Sequence, residues 1–361
     1  MQGPSPSGTQ TFALPRTTAL PRRAALLGLS GLVLTAAGCA GGSTDVPGGD
    51  DISSGRWHLN LVAYATPKPG FNAIIPAFRA TEQGKDVGFS QSYGASGDQS
   101  RKVARRVPAD VVNFSVEPDV ARLVKAGLVD KDWQRRAHQS VPFGSVVALV
   151  VRKGNPKGVR DWLDLLKPGV EVITPQPASS GSAKWNLLAP YAALSDGGKN
   201  KAEAAAYLRQ LAKDHIVVNP KSGREATTTF QAGQGDVLIS YENEAILLAR
   251  QNAQADSSRQ VEYHIPPSTF KIENPVAVVN SSKAKKQAND FLDYLFTGEA
   301  QRIWAKQGFR PVDPAVAGET ADLFPGRVDK LWTVDELGGW PRADQELFGP
   351  KGLITKAYQT R

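Results

Sequence analysis

Apolar and polar positions follow two alternating periods along most of this chain. The segment WHLNLVAYA at 57–65 has the two-residue period of a strand, and FNAIIPAFRAT at 71–81 has its apolar residues at helical spacing. The run ADVVNFS at 109–115 is continuously apolar, as expected of a strand buried on both faces of a parallel sheet. A helical pattern follows it at 118–129. This exchange of strand and helix predicts an α/β fold.

A second series of strands and helices begins with GSVVALVVRKGNP at 144–156. The 361 residues are enough for two domains of roughly 150 residues each. We therefore predict two lobes with a ligand cleft between them. Residues 57–146 together with 267–361 would form lobe 1, and residues 147–266 would form lobe 2.

Residues 1–38 have a different composition. They contain three arginines and no acid, and a short apolar run at 24–38 follows the pair Arg22-Arg23 and ends in small residues before Cys39. This arrangement predicts an export signal, and the apolar run is too short for an ordinary membrane span. The arginine pair leaves both the general and the twin-arginine export routes open.

The sequence TAAGC at 35–39 resembles a bacterial lipobox, whose cysteine is lipidated and becomes the first mature residue. Residues 39–56 are rich in Gly, Ser, Asp and Pro, which predicts a flexible tether. We therefore expect a lipid anchor on Cys39 that holds the protein at the outer face of the cytoplasmic membrane. A cleaved signal with an incidental cysteine is the alternative. Because Cys39 is the only cysteine, it leaves no partner for a disulfide.

The charge gives little support to nucleic-acid binding. The formal charge is +8, but the chain from Cys39 onward has 40 basic and 35 acidic residues, a net +5 with no basic run. The four histidines do not form a metal-ligand pattern. We predict no metal and no cofactor.

Three predicted helices begin with small and hydroxyl-bearing residues: GASGDQ at 94–99, SSGSAKW at 179–185 and KSGREATTT at 221–229. The N–H groups of a helix's first turn are unpaired and carry partial positive charge, which suits an oxyanion. Glycine lets the anion approach, and a hydroxyl adds a donor. Each stretch follows a predicted strand, at the edge of the sheet where ligands bind. Ordinary helix caps are the alternative, but three such starts in one chain favour a shared cleft.

Several ordered motifs extend from residue 57 to the end of the chain: SYGASGDQ, VRKGNPKGVRDWLDLLKPGVEVITPQP, SSGSAKWN, GDVLISYENEA, PVAVV and GGW. Together they resemble the periplasmic sulfate-binding proteins of ABC importers. The resemblance implies a two-lobed type II binding protein that closes over sulfate. It also implies delivery of sulfate to a membrane permease and its ATPase, and we expect a monomer.

The resemblance also implies the ligands of the anion, which are uncharged donors. They lie at the three helix starts, with one aromatic residue after a strand: Ser96, Ser180, Gly181, Ser182, Gly223 and Tyr241. Gly97 and Arg224 are two further candidates beside them. Tyr241 lies where the family has tryptophan, and its hydroxyl would donate to the anion. The alternative is that Tyr241 is an ordinary aromatic residue of the core. The side-chain charges of Lys184, Lys221 and Arg224 are expected outside direct contact, so Arg224 is a candidate through its backbone N–H. The Asp98 carboxylate is expected to point to solvent.

Sulfate fits such a cleft because all of its oxygens only accept at neutral pH. Hydrogen phosphate carries a proton that needs an acceptor, and a polar mismatch of this kind can discriminate by factors of about 10⁴ to 10⁵. The hydroxyl lone pairs of Ser96, Ser180 or Tyr241 could accept that proton, so the sequence leaves the selectivity between sulfate and phosphate open.

Other functions remain as alternatives. Thiosulfate, molybdate or another tetrahedral oxyanion could be the ligand of the same cleft. An exported hydrolase could use Ser96 or Ser180 as its nucleophile with His138 or His215 as base, although the chain has no G-x-S-x-G motif. A scaffold or adhesin lipoprotein with a vestigial cleft is the third alternative.

Overall fold

The computed structural model describes residues 51–257 and 259–359. The predicted export signal, Cys39 and the tether up to residue 50 lie outside the described residues. Within the last part of the predicted tether, Ile52 exchanges two backbone hydrogen bonds of 2.8 and 2.9 Å with Phe89. No helix in the described ranges has the length and apolar character needed to span a membrane.

Strands and helices alternate along the described residues, as the sequence predicted. In chain order the strands are β1 (Trp57–Tyr64), β2 (Val87–Gly94), β3 (Val111–Asn113), β4 (Phe143–Arg152), β5 (Val172–Ile173), β6 (Ile216–Val218), β7 (Val237–Tyr241), β8 (Val261–His264), β9 (Ser268–Glu273), β10 (Val276–Val278), β11 (Arg310–Pro311) and β12 (Lys330–Trp332). The helices are α1 (Lys68–Arg79), α2 (Ser96–Ala104), α3 (Glu117–Lys125), α4 (Gly181–Ser195), α5 (Lys201–Gln210), α6 (Gly223–Gln231), α7 (Glu242–Asn252), α8 (Lys285–Tyr294), α9 (Gly298–Lys306), α10 (Pro314–Glu319), α11 (Gly339–Ala343) and α12 (Leu353–Gln359).

The first sheet has the strand order β10-β3-β1-β2. Strand β1 pairs in parallel with β2 and β3, and β10 is antiparallel to β3. Helix α1 places Phe71 and Phe78 in a core that also contains Phe291 and Trp304. The ring of Phe71 meets that of Trp304 edge-on, with centroids 5.2 Å apart. The apolar spacing seen at 71–81 thus forms the buried face of this helix.

The second sheet has the order β12-β9-β4-β7-β5-β6, with β8 and β11 also paired to β4. Strand β4 is the longest, with ten residues, and is antiparallel to β7, β8, β9 and β11 along different parts of its length. Its core contains Trp162 and Trp185, which are 1% and 0% exposed. The mixed α/β prediction is therefore confirmed, and each sheet has a core of its own.

The chain crosses between the two sheets more than once. Strand β9 lies in the second sheet and β10 in the first, and only Asn274 and Pro275 stand between them. The start of β4 also joins both, because Phe143 packs in the first core while Val147 packs in the second. Strands β9 and β12 come from the C-terminal part of the chain but pair in the second sheet. The lobe boundaries at 146/147 and 266/267 stay a prediction.

Candidate functional site

The three predicted helix starts coincide with the first residues of α2, α4 and α6. Ser96, Gly181 and Gly223 are the first helical residues of these elements. Two of the starts are capped by serine: the Ser180 Oγ accepts from the Ala183 N–H at 3.4 Å, and the Ser222 Oγ from the Glu225 N–H at 3.1 Å. Both serines therefore act as ordinary helix caps through their side-chain oxygens. This capping leaves the hydroxyl protons able to point away from the helix.

The starts of α2 and α4 lie against each other. A Cβ built on Gly181 would lie 3.3 Å from the Ser96 Cβ and 2.6 Å from the Cβ of Ser115. Beside them, the Gly97 N–H donates to the carbonyl oxygen of Ser179 at 3.0 Å. Residues from both sheets therefore meet at this point with no space for a larger side chain on Gly181.

The start of α6 joins the same group through Ser182. A Cβ on Gly223 would lie 3.0 Å from the Ser182 Oγ and 3.4 Å from the Glu244 Oε2. The Ser182 side chain in turn hydrogen-bonds to Tyr241. The second and third helix starts are thus in contact through one hydroxyl.

Tyr241 is the last residue of β7 and is completely buried. Its hydroxyl lies 2.7 Å from the Ser115 Oγ. Burial raises the pKa of the phenol above its ordinary value, and hydrogen bonds from Ser115, Ser182 and Asn274 oppose that rise. The phenol is therefore a neutral hydroxyl at physiological pH, able to donate one hydrogen bond.

The hydroxyl of Ser96 is already engaged. Its Oγ donates to the Asp119 Oδ2 at 2.6 Å and accepts from the Ser115 N–H at 2.9 Å. Ser96 is therefore placed to offer an anion its backbone N–H, in the first turn of α2, more readily than its side chain. The same reasoning makes Gly97 a less available donor, since Ser179 occupies its N–H.

The cations beside the cleft are paired with carboxylates. Lys184 Nζ lies 2.5 Å from the Asp344 Oδ1, and Arg122 Nη1 lies 2.7 Å from the Asp119 Oδ1. Arg101 forms an ion pair with Asp98, whose side chain is 40% exposed. These pairs leave little net positive charge at the helix starts.

Two more charged residues from the sequence prediction stand at the third helix start. Lys221 is exposed and Arg224 is half-buried. Burial raises the pKa of the Glu244 carboxyl, and the hydroxyl of Ser240 and the charge of Arg224 both oppose the rise. Arg224 therefore balances a buried carboxyl behind Gly223.

A cavity of about 360 Å³ opens beside the starts of α2 and α4. Gly97, Ser180 and Gly181 line it, together with Arg101 and Lys184. A larger cavity of about 780 Å³ is lined by none of the predicted site residues. The smaller cavity meets the starts of α2 and α4, whereas Ser96, Ser182, Gly223 and Tyr241 are not among its lining residues.

The histidines considered for a hydrolase lie apart from the serines. The ring of His138 stacks on Phe296 with centroids 6.4 Å apart, and His215 Nδ1 lies 3.0 Å from a backbone carbonyl. Among the described hydrogen bonds, none joins either histidine to Ser96 or Ser180. The described residues also contain no group of three His, Cys, Asp or Glu side chains suited to a metal ion.

The structure thus brings Ser96, Gly97, Ser180, Gly181, Ser182, Gly223 and Tyr241 together. Sequence reasoning missed Ser115, which bonds to Ser96 and Tyr241, and Asn274, which bonds to Tyr241 and whose Nδ2 donates to the Ser115 carbonyl at 2.9 Å. Ser115 was detectable, since it follows a buried parallel strand at its carboxyl end. Asn274 has no comparable local signal.

Known protein sequences match most of this chain. Residues 59–310 match the family of bacterial extracellular solute-binding proteins. The chain is 39% identical to the sulfate-binding protein of Synechococcus elongatus over 336 residues, which is 91% of this chain and 93% of the relative.

The chain belongs to the bacterial extracellular solute-binding proteins.

Two further similarities refine this assignment. The sulfate-binding protein SubI from Mycobacterium tuberculosis has a solved structure that matches with a TM-score of 0.76 at 58% identity, covering 81% of this chain and 99% of that one. The thiosulfate-binding protein of Pseudomonas aeruginosa is 35% identical over 307 residues, 82% of this chain and 91% of the relative. These matches confirm the predicted two-lobed fold of a solute-binding protein.

Proposed function

We propose that this protein captures sulfate between its two lobes and delivers it to the permease and ATPase of an ABC importer. The convergence of three helix starts and Tyr241 on one buried cluster carries the proposal. The similarity to sulfate-binding proteins supports the choice of anion. The cluster contains no histidine or metal group suited to hydrolysis, so we propose a binding protein and not an enzyme.

The donors at these starts account for affinity without a cation. Hydrogen bonds to a charged group are worth roughly 1.5–3 kcal/mol each, so about six of them exceed the roughly 8 kcal/mol of a micromolar site. The excess offsets the removal of water from a dianion and the closing of the lobes. The proposed ligands are the hydroxyls of Ser180 and Tyr241 with the N–H groups of Ser96, Gly181, Ser182 and Gly223; Gly97 and Arg224 are proposed as neighbours.

We further propose that the protein is exported, lipidated on Cys39 and held at the outer face of the cytoplasmic membrane as a monomer. The lipobox-like TAAGC and the Gly- and Ser-rich stretch after it support this arrangement. Two acyl chains give a stable anchor where one is marginal. Such an anchor keeps the binding protein close to its permease.

Isothermal titration calorimetry tests the function. We expect sulfate to bind one site per chain with micromolar or tighter affinity, and phosphate to bind at least a hundred-fold more weakly. Absence of sulfate binding by the folded mature protein would overturn the proposal.

Thiosulfate is the second candidate ligand, because a thiosulfate-binding relative is 35% identical over most of the chain. Thiosulfate replaces one oxygen with a larger sulfur atom but keeps the charge. The same titration distinguishes the two: a lower dissociation constant for thiosulfate than for sulfate would favour it. Molybdate, which is larger than sulfate, completes the panel.

A further inference from the structure

The indole of Trp185 forms a hydrogen bond from the second core to the first sheet. Trp185 is a buried residue of α4, and its ring packs against Phe270 and Trp340 with centroids 5.8 and 4.9 Å away. Its Nε1–H donates at 2.7 Å to the carbonyl oxygen of Ser115, which lies just beyond β3. In the predicted division of the chain, the donor therefore belongs to lobe 2 and the acceptor to lobe 1.

Other protein contacts join the same two parts of the molecule. The Gly97 N–H, in the first turn of α2, donates at 3.0 Å to the carbonyl oxygen of Ser179, which lies just before α4. Val116, the residue after Ser115, packs in the second core. Neither the Trp185 indole nor the Ser115 carbonyl is among the proposed ligands of the anion. Their hydrogen bond therefore acts on the cleft through the protein alone.

The Ser115 carbonyl has a second donor in Asn274. The Asn274 Nδ2 lies 2.9 Å from the same oxygen, on the short segment that joins β9 to β10. Removal of the Trp185 N–H thus leaves the carbonyl paired and avoids the cost of an orphaned buried acceptor. The indole N–H keeps its partner only while the segment after β3 lies against α4. The bond therefore favours the conformation in which the two lobes are together.

We propose that Trp185 holds the two lobes together over the bound anion through its hydrogen bond to the Ser115 carbonyl, and so sets how long the anion stays bound. The proposal rests on the sulfate-binding function proposed above. Trp185 is a positioning residue in this account, since it acts on the anion through Ser115 and α4. An anion enclosed by two lobes leaves only after they separate, so the bond slows dissociation. Association begins with the lobes apart, before the bond has formed.

Trp185→Phe tests the proposal, because it keeps an aromatic ring in the second core and removes the N–H. We expect the dissociation rate constant of sulfate to rise about three- to ten-fold, the effect of one hydrogen bond. The association rate constant should stay within about two-fold of the wild type. The dissociation constant should therefore rise by the same factor as the dissociation rate constant. Stopped-flow mixing with sulfate, followed by tryptophan fluorescence, measures both rate constants.

Trp162→Phe is the matched control. Trp162 is also buried in the second core, and its Nε1–H donates at the same distance of 2.7 Å to a backbone carbonyl, that of Ser268 in β9. Both partners belong to the second sheet and its core, so this variant should lower the free energy of unfolding and leave the dissociation rate of sulfate unchanged. A wild-type dissociation rate in Trp185→Phe, or an equal rise in both variants, overturns the proposal. A folded wild type that fails to bind sulfate would instead overturn the proposed function.

Hydrogen exchange in the wild type is the second measurement and serves if Trp185→Phe does not fold. The indole N–H of Trp185 should exchange at least about ten-fold more slowly with sulfate than without it, because sulfate keeps the lobes together. The indole N–H of Trp162 should change by less than about two-fold, because its bond lies within one core. An exchange rate of the Trp185 indole that sulfate leaves unchanged would also overturn the proposal.

Discussion

Gly181 faces Ser115 so closely that a Cβ on the glycine would lie 2.6 Å from the Ser115 Cβ and 2.8 Å from its Oγ. Ser115 follows β3 of the first sheet, whereas Gly181 begins α4, which packs in the core of the second. The contact therefore sets how closely the segment after β3 and the start of α4 approach each other at the proposed anion site. It also explains why one of the helix starts has no side chain at its first position.

Gly181→Ala should hold the lobes apart, since real Cβ atoms do not approach so closely. We expect sulfate affinity to fall at least a hundred-fold, or about 2.7 kcal/mol, with the melting temperature of the ligand-free protein little changed. Calorimetry and thermal unfolding measure both. Gly318→Ala is the matched control, because a Cβ there meets nothing within 4 Å. Equal sulfate affinities in the two variants would contradict the contact's role.

Ser180→Ala should weaken sulfate binding at least ten-fold without unfolding the protein. The Ser180 oxygen accepts from the Ala183 N–H, so its proton is free to donate to the anion. Loss of the cap costs about 1 kcal/mol of stability, and loss of the donor costs about 1.4 kcal/mol or more of affinity. Thr297 caps α9 in a comparable way, because its Oγ1 accepts from the Ala300 N–H. Thr297→Ala should therefore lower stability and leave sulfate affinity unchanged. Wild-type affinity in Ser180→Ala would place the site elsewhere.

The helix starts could be predicted from the sequence because their signal is local. Glycine and serine before an amphipathic run mark a first turn, and Ser96, Gly181 and Gly223 are where that pattern places them. Tyr241 was predictable for the same reason, as the residue that ends a buried strand. The order of strand and helix likewise gave the α/β class.

Other features depend on residues distant in sequence. That Ser115 would meet Tyr241, 126 positions away, follows from the packing of two sheets and from no local pattern. The engagement of the Ser96 hydroxyl by Asp119 could not be predicted either, because it requires α2 and α3 to pack side by side. The pairing of β9 and β12 within the second sheet is a third example, since nothing near these strands indicates their neighbours.

Arg310→Met should destabilise the protein in a pH-dependent way. Arg310 forms a two-point ion pair of 2.5 and 2.8 Å with Glu242, the residue after Tyr241. Burial raises the pKa of Glu242, and Arg310 opposes that rise. Without Arg310 the buried carboxylate is unpaired. We expect a loss of about 2 kcal/mol near neutral pH, below the usual cost for a fully buried pair because the Arg310 side chain is 33% exposed.

The sign follows from proton linkage. A carboxyl whose pKa is raised by folding lowers the stability of the folded protein once it ionises. The loss of unfolding free energy in Arg310→Met should therefore be complete above the raised pKa of Glu242 and should shrink as the pH falls through it. Urea unfolding at about pH 5 and pH 7.5 measures the difference. Glu242→Gln in the Arg310→Met background should restore most of the lost free energy of unfolding. Arg302→Met is the control, since its pair with Glu319 is exposed and worth little. An Arg310→Met loss that grows as the pH is lowered would refute the interpretation.

Cys39→Ser should release the protein from the membrane. The cysteine is the only one in the chain and therefore the only site for the proposed lipid. We expect the wild type in the membrane fraction and the variant in the soluble extracytoplasmic fraction, with unchanged sulfate affinity. A wild type already found in the soluble fraction would contradict the anchor while leaving the binding function intact.

A crystal structure of the protein with sulfate tests the central claim most directly. The account predicts the anion at the starts of α2, α4 and α6, with its oxygens about 2.7–3.2 Å from N–H and O–H groups of Ser96, Ser180, Gly181, Ser182, Gly223 and Tyr241. Lys184 would remain paired with Asp344. An anion held chiefly by lysine or arginine side chains, or bound in the larger cavity lined by Trp133 and Trp340, would contradict it.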